Sequence, residues 1–313
     1  MNQSLDELKK EEAKFFDVIA DIRTEHADRI SIEADLRRAT KFIPKNGDKS
    51  LYLIDPKMSD ILDGGNRDKY ISWVSKKPGA KVLDLGCGSG WLALELARNG
   101  CHVEAYDISP KAIANAKRML AENPYKEGFG SVNYHLQDVS EIDLGVEQWD
   151  AVSGWSAFHH MPDVPDFMER TYRALKSGGI VATMDDMPPG RLELGIGYFF
   201  EFILPNFVLT YRQKIVVVYK LLTGVMQLRA EVMSPMETLK HSGVEDIERI
   251  LYEKFEVLVN VRFNAFVGTP FMRMTGPDSF RYFTARVLVR LDRLLCKIGL
   301  VKGFERIMVA RKK

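Results

Sequence analysis

A glycine-rich segment at residues 82–92, with the sequence VLDLGCGSGWL, constrains the fold of this chain more than any other feature. An apolar run that leads into closely spaced glycines and then into a helical pattern indicates a strand, a sharp turn and a helix. Gly86 and Gly88 remove Cβ atoms where the backbone turns and approaches a ligand. The first turn of the following helix offers N–H groups that have no partner within the helix. We therefore expect a polar or anionic ligand group at this turn.

The spacing of the glycines, and the acidic residue before them, indicate which of two classes of ligand this turn would bind. A dinucleotide site has the spacing GxGxxG, whereas this segment has GxGxG. Asp84 stands at the end of the strand, where its carboxylate would repel the pyrophosphate of NAD and would attract a cation. A ligand with a cationic group and a carboxylate, such as S-adenosylmethionine, fits both features.

The segment lies within a region in which short β-branched or apolar runs alternate with helical stretches, the pattern of βαβ units. This pattern predicts an α/β fold, with strands at residues 81–85, 102–106, 132–136, 151–154 and 180–184. The predicted helices between them cover residues 91–99, 110–122 and 166–176. Further along the chain, residues 255–267 and 306–310 are strand candidates that flank a basic helix at residues 279–298.

Residues 84–90, with the sequence DLGCGSG, resemble the first motif of the class I S-adenosylmethionine-dependent methyltransferases. Four later segments resemble the other motifs of that family in the same order, and they are residues 105–109, 137–139, 149–153 and 175–180. The resemblance implies a Rossmann-like, mostly parallel seven-stranded sheet with one antiparallel strand. It implies S-adenosylmethionine as the cofactor.

The resemblance also implies roles for individual residues. Asp84 and the glycines of the turn would hold the methionine end of the cofactor, Asp107 the ribose hydroxyls, and the segment with Asp138 and Val139 the adenine. Ile108, the residue after Asp107, is another expected member of the cofactor site. Further expected members of the cofactor site are Gly86, Gly88, Gly90, Trp155 and Tyr70. For Tyr70, the start of a solvated helix is an equally good interpretation.

Candidates for the chemistry follow the fourth and fifth strands, at the carboxyl edge where open α/β sheets bind ligands. His159 and His160 are candidates for a general base, with His159 preferred; the alternative is a structural role or a role in the cofactor pocket. Asp185 is a candidate for substrate binding, with loop capping as the alternative. No metal site is expected, because the chain has no carboxylate directly after the fourth strand and no HxxxH spacing.

The rest of the chain is expected to form extensions around this core. We predict a helical N-terminal extension or lid at residues 1–77, the cofactor-binding core at 78–190, an aromatic-rich lid insertion and a helix at 191–254, and the last strands with an inserted basic helix at 255–313. Tyr198 and Phe202 of the insertion are expected to roof a substrate pocket, or to form the core of the lid itself.

The stretch 281–302, which contains most of the basic helix, carries six basic side chains against the single acid Asp292, and apolar side chains on the rest of its surface. It suits either an anionic membrane surface or a solvated face of a packed helix. The basic residues are Arg281, Arg286, Arg290, Arg293, Lys297 and Lys302. The apolar ones are Val287, Leu288, Leu291, Leu294, Leu295 and Ile298.

Composition excludes several classes of protein. The 44 Lys and Arg residues balance 43 Asp and Glu residues, so the net charge gives no reason to expect a nucleic acid as partner. The three cysteines have no CxxC spacing, and the N-terminal residues have no apolar stretch of the signal-peptide type. Charged residues interrupt the apolar region at 192–228, which therefore predicts no transmembrane helix. We expect a cytoplasmic protein, and the sequence does not indicate its oligomeric state.

The predicted function is methyl transfer from S-adenosylmethionine to a small-molecule acceptor, with O-methylation of a sugar or natural-product hydroxyl as the leading hypothesis. The alternatives are a C- or N-methyltransferase of a hydrophobic metabolite and a non-catalytic S-adenosylmethionine-binding protein.

Overall fold

The computed structural model describes residues 4–26, 56–187, 190–206, 209–222, 234–235, 243–272 and 274–313. Its strands are β1 (Lys81–Leu85), β2 (His102–Asp107), β3 (Ser131–Leu136), β4 (Trp149–Trp155), β5 (Leu175–Asp186), β6 (Phe255–Phe263) and β7 (Glu305–Lys312). They form one seven-stranded sheet in the order β3-β2-β1-β4-β5-β7-β6. β7 runs antiparallel to both of its neighbours, and the pairs among β1 to β5 are parallel. The predicted α/β class and the single antiparallel strand are confirmed.

Helices cover both faces of this sheet and its carboxyl edge. They are α1 (Leu5–His26), α2 (Pro56–Ser59), α3 (Gly65–Val74), α4 (Trp91–Arg98), α5 (Pro110–Glu122), α6 (Val164–Ala174), α7 (Arg191–Ile203), α8 (Tyr211–Leu222), α9 (Val244–Lys254), α10 (Gly268–Met272) and α11 (Asp278–Lys297). A π-helical segment, Asp60–Gly64, joins α2 to α3, and a 3-10 turn, Phe158–His160, follows β4. No helix of the described residues is long and apolar enough to cross a membrane.

The packing of β1 explains why the strands of this core have apolar residues at successive positions. Val82 packs into one buried cluster, whereas Leu83 and Leu85 pack into a second cluster on the other face of the sheet. A strand that is covered on both faces needs apolar residues at successive positions. Asp84 is therefore a polar residue among the buried positions of β1, and its presence there requires a separate explanation.

Two strand boundaries differ from the sequence prediction. The sequence predicts a turn at residues 175–179, but β5 already begins at Leu175. The strand contains Ser177, Gly178 and Gly179, and its pairing with β4 shifts in register there. The strand predicted at 255–267 ends at Phe263.

The helices predicted between β5 and β6 also differ from those that the structure describes. Of the predicted helix 234–253, the structure describes residues 234–235 and 243 and the helix α9. The stretch 192–228 is divided into α7 and α8, and its last residues, 223–228, lie outside the described part of the chain.

Candidate functional site

The glycine turn between β1 and α4 is the centre of the candidate cofactor site. Gly86, Gly88 and Gly90 have φ angles of +73°, +53° and +81°, a region that side-chain-bearing residues rarely adopt. A Cβ on Gly90 would lie 2.6 Å from the hydroxyl oxygen of Tyr134, whereas one on Gly88 would have nothing within 4 Å. Gly90 is therefore required for packing, and Gly88 leaves the backbone open towards a ligand.

Asp84 lies directly before this turn and is only 1% exposed. Its Oδ1 accepts a hydrogen bond from the Ser153 hydroxyl at 3.0 Å. Its Oδ2 is buried and has no hydrogen-bond partner among the described residues. Burial raises the pKa of this carboxyl to about 7. A buried acceptor of this kind suits the ammonium group of a ligand, and this observation supports the fit of S-adenosylmethionine to the site.

Asp107 ends β2 and is held against the glycine turn. Its Oδ2 accepts the N–H of Gly88 and its Oδ1 accepts the N–H of Ser109, each at 2.8 Å. Burial raises the pKa of this carboxyl, although the amide hydrogen bonds oppose the rise. The carboxylate is thus fixed beside Gly88, the open position of the turn, which is the placement expected for a residue that binds ribose hydroxyls. Ile108, the next residue, is half-buried.

Asp138, the expected adenine contact, is engaged by the N-terminal helix. Lys9 of α1 forms a salt bridge to its Oδ2 at 2.8 Å, and the same ammonium contacts Glu141 at 2.8 Å. Burial opposes the charge of Asp138, but its hydrogen bonds to Lys9 and Ser140 outweigh this and lower its pKa. Val139 is buried in the core. An adenine amino group would therefore compete with Lys9 for Asp138.

His159 and Asp185 form a buried pair at the carboxyl edge of β4 and β5. The distance from His159 Nδ1 to Asp185 Oδ1 is 2.7 Å, and the two side chains are 6% and 3% exposed. Thr183 donates its hydroxyl to the other oxygen of Asp185. Because a carboxylate only accepts hydrogen bonds, the ring carries its proton on Nδ1, and Nε2 is the basic nitrogen. Asp185 orients His159 in this structure, and its predicted contact with the substrate remains a prediction.

His160 points to α1 rather than to the Asp185 pair. Its Nδ1 lies 2.9 Å from Glu12 Oε1 and 3.2 Å from the hydroxyl of Ser234. Its ring packs edge-on against Phe16 and lies 4.2 Å from the ring of His159. The two histidines therefore have different partners, and His159 has the arrangement expected of a base.

Tyr70 and Trp155 belong to an aromatic group beside the glycine turn. Tyr70 is fully buried, and its hydroxyl donates to the carbonyl of Ala182 at 2.8 Å and accepts from the N–H of Gly154 at 3.2 Å. Trp155 packs edge-on between Tyr70 and Trp91, with ring centroids 5.2 and 5.1 Å away. Tyr70 thus joins α3 to β4 and β5, and its predicted contact with the cofactor remains a prediction.

The two aromatic residues predicted to roof a substrate pocket lie on the outer side of α7. Tyr198 is 43% and Phe202 is 39% exposed. The inward aromatic residue of this helix is Phe200, which stacks on Phe266 with ring centroids 5.6 Å apart. The described structure does not bring Tyr198 and Phe202 together with His159.

Three functional candidates were missed by sequence reasoning, because they are brought to the site from the far N-terminus. Lys9, Glu12 and Phe16 lie on one side of α1 and contact Asp138 and His160. Glu12 is 4% exposed, so this helix is packed on the site and not merely attached to the core. The only signal for these residues in the sequence is their spacing of three and four.

A second missed group is a buried acidic cluster at the start of β7. Asn264 donates to Glu305 at 3.0 Å and also to Asp63. Burial raises the pKa of both carboxyls. Among the described residues, no group of three or more His, Cys, Asp or Glu side chains is arranged to hold a metal ion.

Residues 82–179 match the family described as a methyltransferase domain. They form a class I S-adenosylmethionine-dependent methyltransferase domain. S-adenosylmethionine is the cofactor of such a domain, and Asp84, the glycine turn and Asp107 are the residues that would hold it.

Two curated relatives are similar to this domain. The ubiquinone biosynthesis O-methyltransferase of Xylella fastidiosa (strain 9a5c) is 33% identical over 139 residues, which are 44% of this chain and 50% of the relative. The demethylmenaquinone methyltransferase of Desulfitobacterium hafniense is 29% identical over 149 residues, 46% of this chain and 57% of the relative. The chain thus spans about half the length of the curated relatives it matches.

A solved structure of an S-adenosylmethionine-dependent methyltransferase from Mesorhizobium loti is similar at a greater distance. It is 17% identical, with a TM-score of 0.45, and the match covers 80% of this chain and 97% of that one.

Proposed function

We propose that this protein transfers a methyl group from S-adenosylmethionine to a hydroxyl group of a small-molecule acceptor. The observation that carries the proposal is the buried His159–Asp185 pair, 2.7 Å apart, at the carboxyl edge of the methyltransferase domain. The cofactor supplies an electrophilic methyl group, and a hydroxyl acceptor must lose its proton as it attacks. A base is needed for that acceptor, and this pair provides one.

The chain contributes orientation and proton transfer. Asp185 holds the Nδ1–H of His159, which keeps the lone pair on Nε2 and stabilises the imidazolium that forms when the acceptor's proton arrives. Thr183 holds the second oxygen of Asp185. Because the departing thioether is neutral, no general acid is required, and the remaining task of the protein is to align the acceptor.

The acceptor is proposed to be a hydroxyl on a natural product or a sugar. The name of the Xylella fastidiosa relative, an O-methyltransferase of ubiquinone biosynthesis, supports oxygen as the acceptor atom and a ring-bearing, hydrophobic compound.

The test combines cofactor binding with turnover. Calorimetry should detect binding of S-adenosylmethionine, and release of S-adenosylhomocysteine should be detected with at least one member of a panel of phenols and sugars. The variant H159A should lower kcat about 10²–10⁴-fold and leave the Kd for S-adenosylmethionine unchanged. H102A, which removes an exposed histidine of β2, is the matched control and should keep the wild-type kcat.

Each contrary result has a distinct meaning. Absence of cofactor binding would overturn the proposed function as a whole. Binding without turnover on any acceptor would identify a non-catalytic binding protein. Turnover of H159A at the wild-type rate would remove His159 from the role of base. Methylation of carbon or nitrogen only would overturn the hydroxyl acceptor.

A further inference from the structure

Helix α11 has two apolar faces, of which the described residues of the protein cover only one. The inner face packs into a core cluster through Tyr282, Ala285 and Val289, with Leu288 and Leu295 beside them. On the opposite side of the helix, large apolar side chains recur every three or four residues, and all of them are exposed. They are Phe280 (47%), Phe283 (67%), Val287 (45%), Leu291 (41%), Leu294 (53%) and Ile298 (57%).

These six residues, which we call the outer stripe, correct the simpler interpretation of α11 as a helix with one apolar and one basic side. Residues at this spacing share one side of a helix, so the stripe is continuous over the whole length of α11. Contiguous apolar surface of this extent is unusual on a soluble protein and marks a docking site.

Basic side chains run along one edge of the outer stripe. Arg286, Arg290 and Lys297 are exposed, and their side chains form no hydrogen bond or ion pair with any residue that the structure describes. The acid in the middle of the helix, Asp292, is fully buried on the inner side, where it accepts the N–H of Phe266 at 3.0 Å. The outer side of α11 therefore presents apolar side chains and positive charge, without a compensating acid.

The apolar surface continues from the end of α11 to the beginning of α7. Glu193 accepts the N–H of Lys302 at 2.6 Å, which holds the first turn of α7 against the segment that follows α11. Leu192, Leu194 and Leu300, on these two segments, are 58%, 41% and 63% exposed.

We propose that the outer stripe docks on an anionic lipid bilayer. A helix with a wide apolar stripe and basic residues at its edge lies in the membrane interface, where the apolar side chains enter the acyl region and the cations meet the phosphates. A second copy of the chain is a poorer occupant, because stripe-to-stripe contact would bring Arg286, Arg290 and Lys297 of the two copies near each other. The net charge of the surface complements a layer of anionic headgroups.

The test is vesicle flotation of the full chain with phosphatidylcholine vesicles, with and without phosphatidylglycerol. We expect binding to the anionic vesicles that weakens as salt rises. The triple variant R286Q/R290Q/K297Q should bind at least about tenfold more weakly, from the contribution of three cations near the surface. The double variant F283S/L291S should also lose binding, because it removes apolar contacts without changing the charge.

The matched controls make the same types of substitution at exposed positions outside the outer stripe. K69Q/K117Q/K126Q removes three exposed cations from other surfaces, and V146S removes an exposed apolar side chain, 69% exposed, from a loop. Both should bind anionic vesicles as the wild type does. Thermal unfolding at the wild-type temperature shows that each variant is folded.

Two results would overturn the proposal. The first is absence of binding to anionic vesicles, or equal binding by the α11 variants and the controls. The second is a wild-type dimer in sedimentation that F283S/L291S dissociates, with no vesicle binding, since the stripe would then join two copies of the chain.

Discussion

The fold changes the protonation of Asp84 in the pH range where the protein can be tested. It is buried in a strand that is covered on both faces, and burial raises its pKa from 3.8 to about 7. The folded protein without cofactor therefore holds a proton there between about pH 4 and pH 7, where the unfolded chain has lost it. Because the folded state then binds more protons than the unfolded state, stability falls as pH rises through this window. The loss at pH 8 is at most about 4 kcal/mol.

The variant D84N should remove this dependence. Relative to the wild type, its free energy of unfolding in urea should improve as pH rises from 5 to 8, because a neutral amide has no charge to bury. The Kd for S-adenosylmethionine should tighten with pH in the wild type and not in D84N, because the ammonium group favours the ionised carboxylate. Parallel stability curves for the two proteins between pH 5 and pH 8 would show that Asp84 is ionised in the absence of cofactor.

Helix α1 is the element that joins the N-terminus to the cofactor site. Its Lys9 holds Asp138 and Glu141, its Glu12 holds His160, and its Asp17 accepts the hydroxyl of Ser109 at 2.6 Å. Burial opposes the charge of Lys9, but its two carboxylate hydrogen bonds outweigh this and raise its pKa. In the absence of cofactor, α1 thus occupies the polar groups expected to meet adenine.

Replacing Lys9 should free Asp138 for the cofactor. We expect K9M to tighten the Kd for S-adenosylmethionine by about fivefold, since a largely shielded surface ion pair contributes roughly 1 kcal/mol, and to speed hydrogen exchange of the α1 amides. K10M, at an exposed position of the same helix, is the matched control and should behave as the wild type. Weaker cofactor binding by K9M than by K10M would mean that α1 closes over the bound cofactor and contributes to its affinity.

The elements differ in how far the sequence could predict them. The glycine turn and the strands β1 to β4 were predictable, because local hydrophobic periodicity and fixed spacing determine them. The contact of Glu12 with His160 joins residues that are distant in the chain, so no local pattern encodes it. The inner and outer faces of α11 could not be distinguished from the sequence either. Leu288 and Leu291 are chemically alike, and only tertiary packing places Leu288 against the core and leaves Leu291 exposed.

For the molecule as a whole, the C-terminal strands complete the sheet that the methyltransferase domain begins. The family match ends at residue 179, yet the residues of β5 that follow it, Ile180–Asp186, pair with β7 along their full length. β7 is buried between β5 and β6, so the part of the sheet that carries Asp185 depends on the last residues of the chain. Stability of the candidate site is therefore a property of the complete sheet.

Substitution of Arg306 in β7 would test whether the sheet depends on the contacts of this strand. Its side chain is 2% exposed and forms two hydrogen bonds to Glu248 of α9, and it also donates to Asn260 of β6 at 2.9 Å. The variant R306M keeps the volume of the side chain but leaves two polar groups without their donor, so the free energy of unfolding should fall by about 3 kcal/mol.

The matched control is R262M, which removes a neighbouring arginine that is 34% exposed and lies 3.9 Å from the same Glu248. An exposed pair at this distance contributes less than about 1 kcal/mol, so urea unfolding should separate the two variants clearly. If R306M and R262M lose stability equally, the Arg306 contacts do not hold β7 to α9. Apolar packing of the strand between β5 and β6 would then be sufficient to complete the sheet.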